Sequence, residues 1–198
     1  MKVLLSLLIL LAALAGASLP QASGFRTATA AEASDPVLIE AAKSGDAVQV
    51  STLLANGTPV DTPDWAGWTA LHWAALLLKD NVVDVLLRAG ADIERIGKGG
   101  KNSGTPLMMA AKKYAGLGTV ELLLARGADV NGTDQYGRTA LIMAARYGRL
   151  QTVKALIAAG ADVARTSTLK SWRTALYVAK SKGHSDVVAL LRAAGAGQ

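Results

Sequence analysis

A tetrapeptide recurs along this chain at a nearly constant interval. It appears as Gly90-Ala91-Asp92-Ile93, Gly127-Ala128-Asp129-Val130 and Gly160-Ala161-Asp162-Val163, and it ends as Gly195-Ala196. The glycines are 37, 33 and 35 residues apart. A second marker follows the same interval, as Thr69-Ala70-Leu71, Thr105-Pro106-Leu107, Thr139-Ala140-Leu141 and Thr174-Ala175-Leu176. Two markers that share a period of about 33 residues indicate a stack of repeated units. Such a stack offers a long binding surface and has no enclosed pocket by default.

Residues 64–96 show how one unit should fold. Residues 64–68 read as a turn, and Thr69 can cap the helix that follows through its side-chain oxygen. Apolar residues lie on one side of two short helices: Leu71, Ala74 and Ala75 in the first, and Val82, Val83, Leu86 and Leu87 in the second. Gly90 ends the second helix as a left-handed cap. Neither helix is long enough to be stable alone in water, so each needs its neighbours.

These residues resemble the ankyrin-repeat family. Its pattern, roughly D-x-x-G-x-T-P-L-H-x-A-A, matches residues 64–75 and 134–141, and residues 120–131 match its closing half. The resemblance covers residues 34–196 as five units, at about 34–61, 62–94, 95–131, 132–163 and 164–196. It implies a mainly α repeat solenoid of helix-turn-helix units joined by β-hairpin-like turns.

Several positions depart from that pattern. The stretch Arg95–Gly104 holds three extra residues, Ala164–Arg173 holds two, and the turn Tyr114–Gly118 holds one. In the last unit a lysine, Lys180, replaces the second of two alanines that recur in the other units, as expected of a terminal capping repeat. The register is least certain at residues 95–118 and 164–173.

The N-terminal residues predict a secretory signal peptide. Lys2 precedes an apolar run, and Ala15-Gly16-Ala17 fits an A-x-A cleavage site, which places the signal peptide at residues 1–17. Ala28-Thr29-Ala30 is an alternative site, with cleavage after residue 30. An uncleaved anchor is the other interpretation, although the run is shorter than the roughly 20 residues that a span needs. Residues 18–33 are predicted to be a disordered leader, and the expected location is periplasmic or secreted, through bacterial export.

The charge is divided unevenly along the chain. Residues 34–94 hold three Lys and Arg against nine Asp and Glu, a balance of −6. Residues 95–198 hold sixteen against five, a balance of +11, and the first 33 residues add +1 to give the total of +6. A segregated field of this kind steers partners more than it determines the fold.

No pattern indicates catalysis. His72 and His184 stand at structural positions of the family, and a chain without cysteine or paired histidines is not expected to bind zinc. The glycine-rich residues 97–104 lack the G-K-[ST] ending of a phosphate-binding loop and read as a lengthened turn. The recurring aspartates, Asp64, Asp92, Asp134 and Asp162, are interpreted as turn formers. We therefore expect no enzyme activity, no cofactor and no metal.

The resemblance implies that the turn tips and the inner face of each first helix bind a partner. The predicted partner-binding residues are Trp65, Trp68, Leu76, Leu77, Lys112, Lys113, Tyr136, Arg138, Arg146, Tyr147, Trp172 and Arg173. The tryptophans among them are expected on exposed tips. Residues 76–78 are three leucines where the family tends to place polar or variable residues and then glycine. They form either an apolar contact patch or an inward-facing part of the core.

These observations predict an exported, monomeric scaffold that binds a protein partner with an acidic surface and performs no catalysis. The alternative is binding of a polyanion or a membrane surface through the basic C-terminal half. Nucleic acid would suit the charge, but an exported protein seldom meets it. After removal of the signal peptide, no stable membrane span is expected.

Overall fold

The computed structural model describes residues 36–98, 103–169 and 173–197 and contains ten helices within them. The helices are α1 Pro36–Ser44, α2 Ala47–Ala55, α3 Ala70–Leu76, α4 Asp80–Arg88, α5 Pro106–Ala111, α6 Leu117–Ala125, α7 Ala140–Arg146, α8 Leu150–Ala158, α9 Ala175–Lys182 and α10 Ser185–Ala193. The predicted signal peptide and leader lie outside the described residues. No helix in the described ranges is long and apolar enough to cross a membrane.

The helices pair into five units, and each unit packs on the next. The first helices α1, α3, α5, α7 and α9 contact one another in sequence, and so do the second helices α2, α4, α6, α8 and α10. Within the described ranges the only β pairing is one isolated antiparallel bridge between Gly97 and Gly104. The predicted mainly α repeat solenoid is confirmed.

Small residues allow the layers to approach closely. The alanine pairs of the first four units are fully buried, at Ala41-Ala42, Ala74-Ala75, Ala110-Ala111 and Ala144-Ala145. In the last unit Ala179 is buried but Lys180 is exposed. The charge therefore stands where no further described repeat covers the stack, as predicted for a capping unit.

The two larger insertions lie between residues that close the turn tips by backbone hydrogen bonds. In the two regular tips, Asp64 N donates to Trp68 O and Asp134 N donates to Arg138 O, each pair four residues apart. Ser167 N donates to Arg173 O six residues later, and Gly97 pairs with Gly104 seven residues later. The insertions of two and three residues thus enlarge the tips and leave the helices in register.

A side-chain ladder connects the units along their outer turns. Asp61 accepts a hydrogen bond from Asp92 N, Glu94 from Asp129 N, and Asn131 from Asp162 N. The corresponding residue one repeat after Asn131 is Ala164, whose side chain has no acceptor, and Gly197 N has no partner among the described residues. The ladder ends there.

Candidate partner-binding surface

The tip of the second repeat, residues 64–68, is organised by one carboxylate. Asp64 Oδ1 accepts hydrogen bonds from Ala66 N and Trp68 N, both at 2.9 Å. Its Oδ2 accepts from the indole Nε1 of Trp73, also at 2.9 Å. Asp64 is therefore a turn former, as predicted, and the indole bond also ties the tip to helix α3.

The two tryptophans of this tip have opposite environments. Trp65 is 97% exposed, as predicted, and is a free aromatic side chain at the surface. The prediction of exposure is wrong for Trp68, which is 6% exposed. Its ring lies 4.9 Å from that of Trp73 and 6.0 Å from that of His72, and Gly97 passes so close that a Cβ there would clash with it. Trp68 fills the space between two repeats because Gly97 leaves room for it.

The tip of the fourth repeat, residues 134–138, has an equivalent aspartate, Asp134, whose second oxygen binds an arginine instead of a tryptophan. Asp134 Oδ1 accepts from Tyr136 N at 2.9 Å and from Arg138 N at 3.0 Å. Arg138 Nε donates to Asp134 Oδ2 at 2.6 Å, and Arg138 Nη2 donates to Ser103 O at 3.1 Å. The predicted surface role of Arg138 is wrong: its side chain is 2% exposed because it closes this ion pair and binds the preceding repeat.

His72 connects neighbouring repeats, as predicted. Thr69 N donates to Nδ1 at 3.2 Å, so the proton of the neutral ring belongs on Nε2, which lies 3.2 Å from Gly104 O. Burial lowers the pKa of His72 to about 4 and outweighs the opposing hydrogen bonds. His184 has a similar bridging role, since its Nε2 lies 3.0 Å from Arg146 O.

The three leucines at residues 76–78 divide between the two predicted environments. Leu76 packs against the core, whereas Leu77 is exposed. Leu78 is half-buried and has φ +58°, the left-handed conformation of Gly45, Gly148 and Gly183 at the same position in other repeats. This patch therefore offers one apolar side chain, Leu77, and a strained backbone beside it.

A row of cations and aromatic rings crosses the first three repeats. Lys43 Nζ lies 4.4 Å from the centre of the Trp73 ring. Trp73 contacts Trp68, and Lys112 Nζ lies 5.9 Å from the Trp68 ring. Lys112 and Lys113 are half-buried. Burial, together with the charges of Arg138 and Lys113, lowers the pKa of Lys112 to about 8.

A second group continues the row into the fourth repeat. Arg149 Nε donates to Lys112 O at 3.0 Å, across the boundary between repeats. Its guanidinium carbon lies 5.5 Å from the Tyr114 ring and 5.9 Å from the Tyr147 ring. Arg146 also lies 5.9 Å from Tyr147. These distances are within the range of cation–π attraction.

Of the remaining predicted residues, Tyr136 lies in the tip of the fourth repeat and Arg173 closes the enlarged tip of the fifth. Tyr136 is half-buried, lies 5.1 Å from the Arg138 guanidinium, and accepts hydrogen bonds from Thr168 through its carbonyl. Arg173 is exposed. Trp172 is outside the described residues. We call the accessible predicted side chains the recognition face: Trp65, Leu77, Lys112, Lys113, Tyr136, Arg146, Tyr147 and Arg173.

Sequence reasoning missed three side chains of the cation–aromatic row, Lys43, Trp73 and Tyr114, and it counted Arg149 only among the cations of the basic half. Trp73 was part of the family motif, and its size at a position occupied by Glu40, Met109 or Val178 elsewhere was a usable signal. Tyr114 was hidden by the uncertain register of the lengthened turn. Among the described residues, no group of three or more His, Asp or Glu side chains could hold a metal ion.

Stacked helix pairs that expose their tips and the ends of their first helices define a helical repeat protein. A family model of ankyrin repeats in three copies matches residues 10–97 and 96–167. The chain belongs to the ankyrin-repeat family. Ankyrin repeats are protein-interaction modules, so the fold assigns the chain to the binding scaffolds.

The curated relatives share the repeats with this chain. Ankyrin repeat and SOCS box protein 6 of Mus musculus is 36% identical over 106 residues, which are 53% of this chain and 25% of that protein. Palmitoyltransferase Hip14 of Drosophila melanogaster is 34% identical over 100 residues, 50% of this chain and 15% of that protein. GA-binding protein subunit beta-2 of Mus musculus is 49% identical over 53 residues, 27% of this chain and 13% of that protein. The chain thus matches a quarter or less of the length of these relatives.

Proposed function

We propose that this protein is an exported, monomeric scaffold that binds an acidic surface of a protein partner and performs no catalysis. One observation carries the proposal: an exposed tryptophan and an exposed leucine occur on the same predicted face as a row of lysine and arginine side chains. Large aromatic residues and arginine contribute most to interface energies. Trp65 and Leu77 anchor the partner, and the cations orient it.

The charge of the recognition face supports an acidic partner. Lys112, Lys113, Arg146 and Arg173 all lie in the half of the chain that carries the +11 balance. Their effect is to accelerate and orient association, which is sensitive to salt, while the apolar anchors resist salt. Export rests on the predicted signal peptide. Mass spectrometry of the N-terminus in the host's exported and cytoplasmic fractions tests it: a cleaved N-terminus in the exported fraction supports export, and a protein that keeps Met1 and stays in the cytoplasmic fraction would contradict it.

The partner is tested by cross-linking capture from the host's exported fraction, at low and high salt. The bait is the wild-type protein, beside Trp65→Ala and a control, Val48→Ala, which removes an exposed apolar side chain on the second helix of the first repeat. We expect one dominant protein that survives high salt, is retained by the control, and binds the Trp65 variant about 30-fold more weakly, equivalent to about 2 kcal/mol. Equal binding by Trp65→Ala would contradict the placement of the anchor.

The basic half favours a second candidate, binding of a polyanion or an anionic membrane surface. Its affinity would fall steeply with salt because binding releases counterions. It would also be indifferent to Trp65. A salt-sensitive mixture of captured material with no effect of Trp65→Ala would establish this function in place of the first.

A further inference from the structure

Arg149 contacts three neighbours that hold its side chain in place, and its two Nη groups remain available as hydrogen-bond donors. Its Nε is committed to Lys112 O, and the rings of Tyr114 and Tyr147 lie on its guanidinium at 5.5 and 5.9 Å. Within the described residues no carboxylate is close enough to form an ion pair with Arg149, and its two Nη groups have no hydrogen-bond partner. An arginine fixed in this way loses little entropy when it binds an anion.

Arg149 lines an open cavity of about 410 Å³ between the third, fourth and fifth repeats. Its lining includes Tyr114, Arg149, Gln151, Thr152 and Asp186. Tyr114 is 88% exposed, so its contact with Arg149 buries little of the ring and leaves it accessible to a ligand. The first turn of α8, which follows Arg149, contains no acidic residue, so nothing on that helix neutralises the guanidinium.

The lining also selects the kind of anion. Asp186 is the single carboxylate of the cavity wall, and its Oδ1 accepts a hydrogen bond from Val187 N. This negative charge repels a doubly charged phosphate more strongly than a singly charged carboxylate. The Tyr114 ring provides an apolar wall for the methylene groups of a glutamate. A carboxylate can also accept both Nη donors of one guanidinium.

We propose that Arg149, flanked by Tyr114 and Tyr147, is a receptor for a glutamate or aspartate carboxylate in an acidic segment of the protein partner. The proposal rests on the proposed function, and it deepens it by naming the chemical group and the place where it binds. The site lies at the turn between first and second helices, apart from the tip that carries Trp65.

The test is fluorescence polarisation with a labelled peptide that contains a run of glutamates, and with the same peptide carrying glutamines. The protein is purified from cells that express the full-length chain. Arg149→Gln is compared with Lys154→Gln, which removes the same charge from an exposed position on α8. We expect the glutamate peptide to bind about tenfold more weakly to the Arg149 variant and almost unchanged to the control. Asp186→Asn should strengthen binding several-fold.

Because Arg149 also connects two repeats, Arg149→Gln could weaken binding by disturbing the fold. Two further variants distinguish a role in binding from a role in folding. Arg149→Lys keeps the charge without the planar fork and should bind the peptide less than the wild type. Tyr114→Ala removes an exposed ring and should weaken binding with no change in thermal stability. Peptide binding that survives Trp65→Ala supports this site even if partner capture fails, so the two proposals fail separately.

An equal loss of affinity for the glutamate peptide in Arg149→Gln and Lys154→Gln would overturn the proposal, because it would show that the peptide responds only to the net charge of the protein. Equal affinity for the glutamine peptide would overturn it as well. So would binding to vesicles of anionic phosphatidylglycerol that depends on Arg149 while the glutamate peptide does not bind.

Discussion

The tips of the second and fourth repeats share one backbone design and satisfy it with different side chains. In both, an aspartate accepts two backbone N–H groups within the turn through Oδ1. The second oxygen accepts from the indole of Trp73 in one tip and from the buried guanidinium of Arg138 in the other. In the second repeat the carboxylate is therefore paired with a neutral indole, whereas in the fourth it forms a buried ion pair.

This difference shows that the same turn motif can present a side chain for binding, as in the second repeat, or bury an ion pair between repeats, as in the fourth. In the second tip the indole of Trp73 satisfies Asp64, and the neighbouring Trp65 lies at the surface. In the fourth tip, Arg138 was predicted to lie at the surface, but it donates hydrogen bonds to Asp134 and to Ser103 of the preceding repeat and is buried. Replacing the aspartate should therefore lower the free energy of unfolding by different amounts in the two tips.

The largest expected effect is the loss of the buried carboxylate. Asp134→Asn keeps an oxygen for the two turn N–H groups but leaves the Arg138 guanidinium buried without a counter-charge, at a cost of about 3–5 kcal/mol. The matched Asp64→Asn also keeps an oxygen for its two turn N–H groups, but its amide NH2 cannot accept from the Trp73 indole, so one hydrogen bond is lost at a cost of about 1–2 kcal/mol. Urea unfolding at pH 7 measures both.

A double variant provides the control for that comparison. Asp134→Asn combined with Arg138→Met removes both charges and should recover much of the lost stability, since an apolar replacement of a buried pair is often close to neutral. Equal losses in the two single variants would show that the tips are energetically alike, against our interpretation.

The second prediction concerns acid. His72 titrates at 6.5 when unfolded and at about 4 in the native protein, so the unfolded state binds the proton first. The contribution of His72 to stability is fully present above pH 6.5 and falls as the pH drops toward 4, by up to about 3 kcal/mol at 1.36 kcal/mol per pKa unit. Hydrogen exchange should show α3 losing protection before α7, which has Ile142 at this position.

His72→Met, which copies Met108 of the third repeat, separates this titration from general acid unfolding. The variant loses the bond to Thr69 N and should be less stable at neutral pH, but its stability should depend less on pH between 6.5 and 4. An unchanged pH slope would mean that other groups control the acid response.

The third prediction compares the helix turns of the same two repeats. Leu78 has φ +58° where the fourth repeat has Gly148 at φ +65°. Leu78→Gly should relieve backbone strain and stabilise the protein by about 1 kcal/mol. Gly148→Ala should do the opposite, because its Cβ would also meet the His184 ring at 2.6 Å. Thermal unfolding of both variants checks the signs, and a destabilised Leu78→Gly would show that leucine packing outweighs the strain.

The smallest effect is expected at the end of the side-chain ladder. Ala164→Asn would place an amide oxygen where Asn131 has one in the preceding unit, within reach of Gly197 N, and should stabilise the fifth repeat by about 0.5–1 kcal/mol. Asn131→Ala is the matched loss, since it removes the bonds to Asp162 N and Gly160 O. If neither variant changed the free energy of unfolding, the side-chain ladder would not contribute to stability.

Much of the architecture could be predicted from sequence. The period of the Gly-Ala-Asp and Thr-x-Leu markers places the helix pairs, and the Asp64 and Asp134 turns form as expected because their hydrogen bonds reach only two to four residues along the chain. The insertions at 95–104 and 164–173 were also predicted, and they fall in the tips. Contacts of this range are encoded locally.

The sequence by itself thus determined the repeat, the helices and the divided charge. Only the tertiary structure decided which side chains of those repeats remain accessible. Trp68 is buried because Gly97, 29 positions later, makes room beside it, and Arg138 is buried because Ser103 and Asp134 receive its donors. Burial depends on residues about one repeat away, and a local pattern contains no information on what the neighbouring repeat places against it.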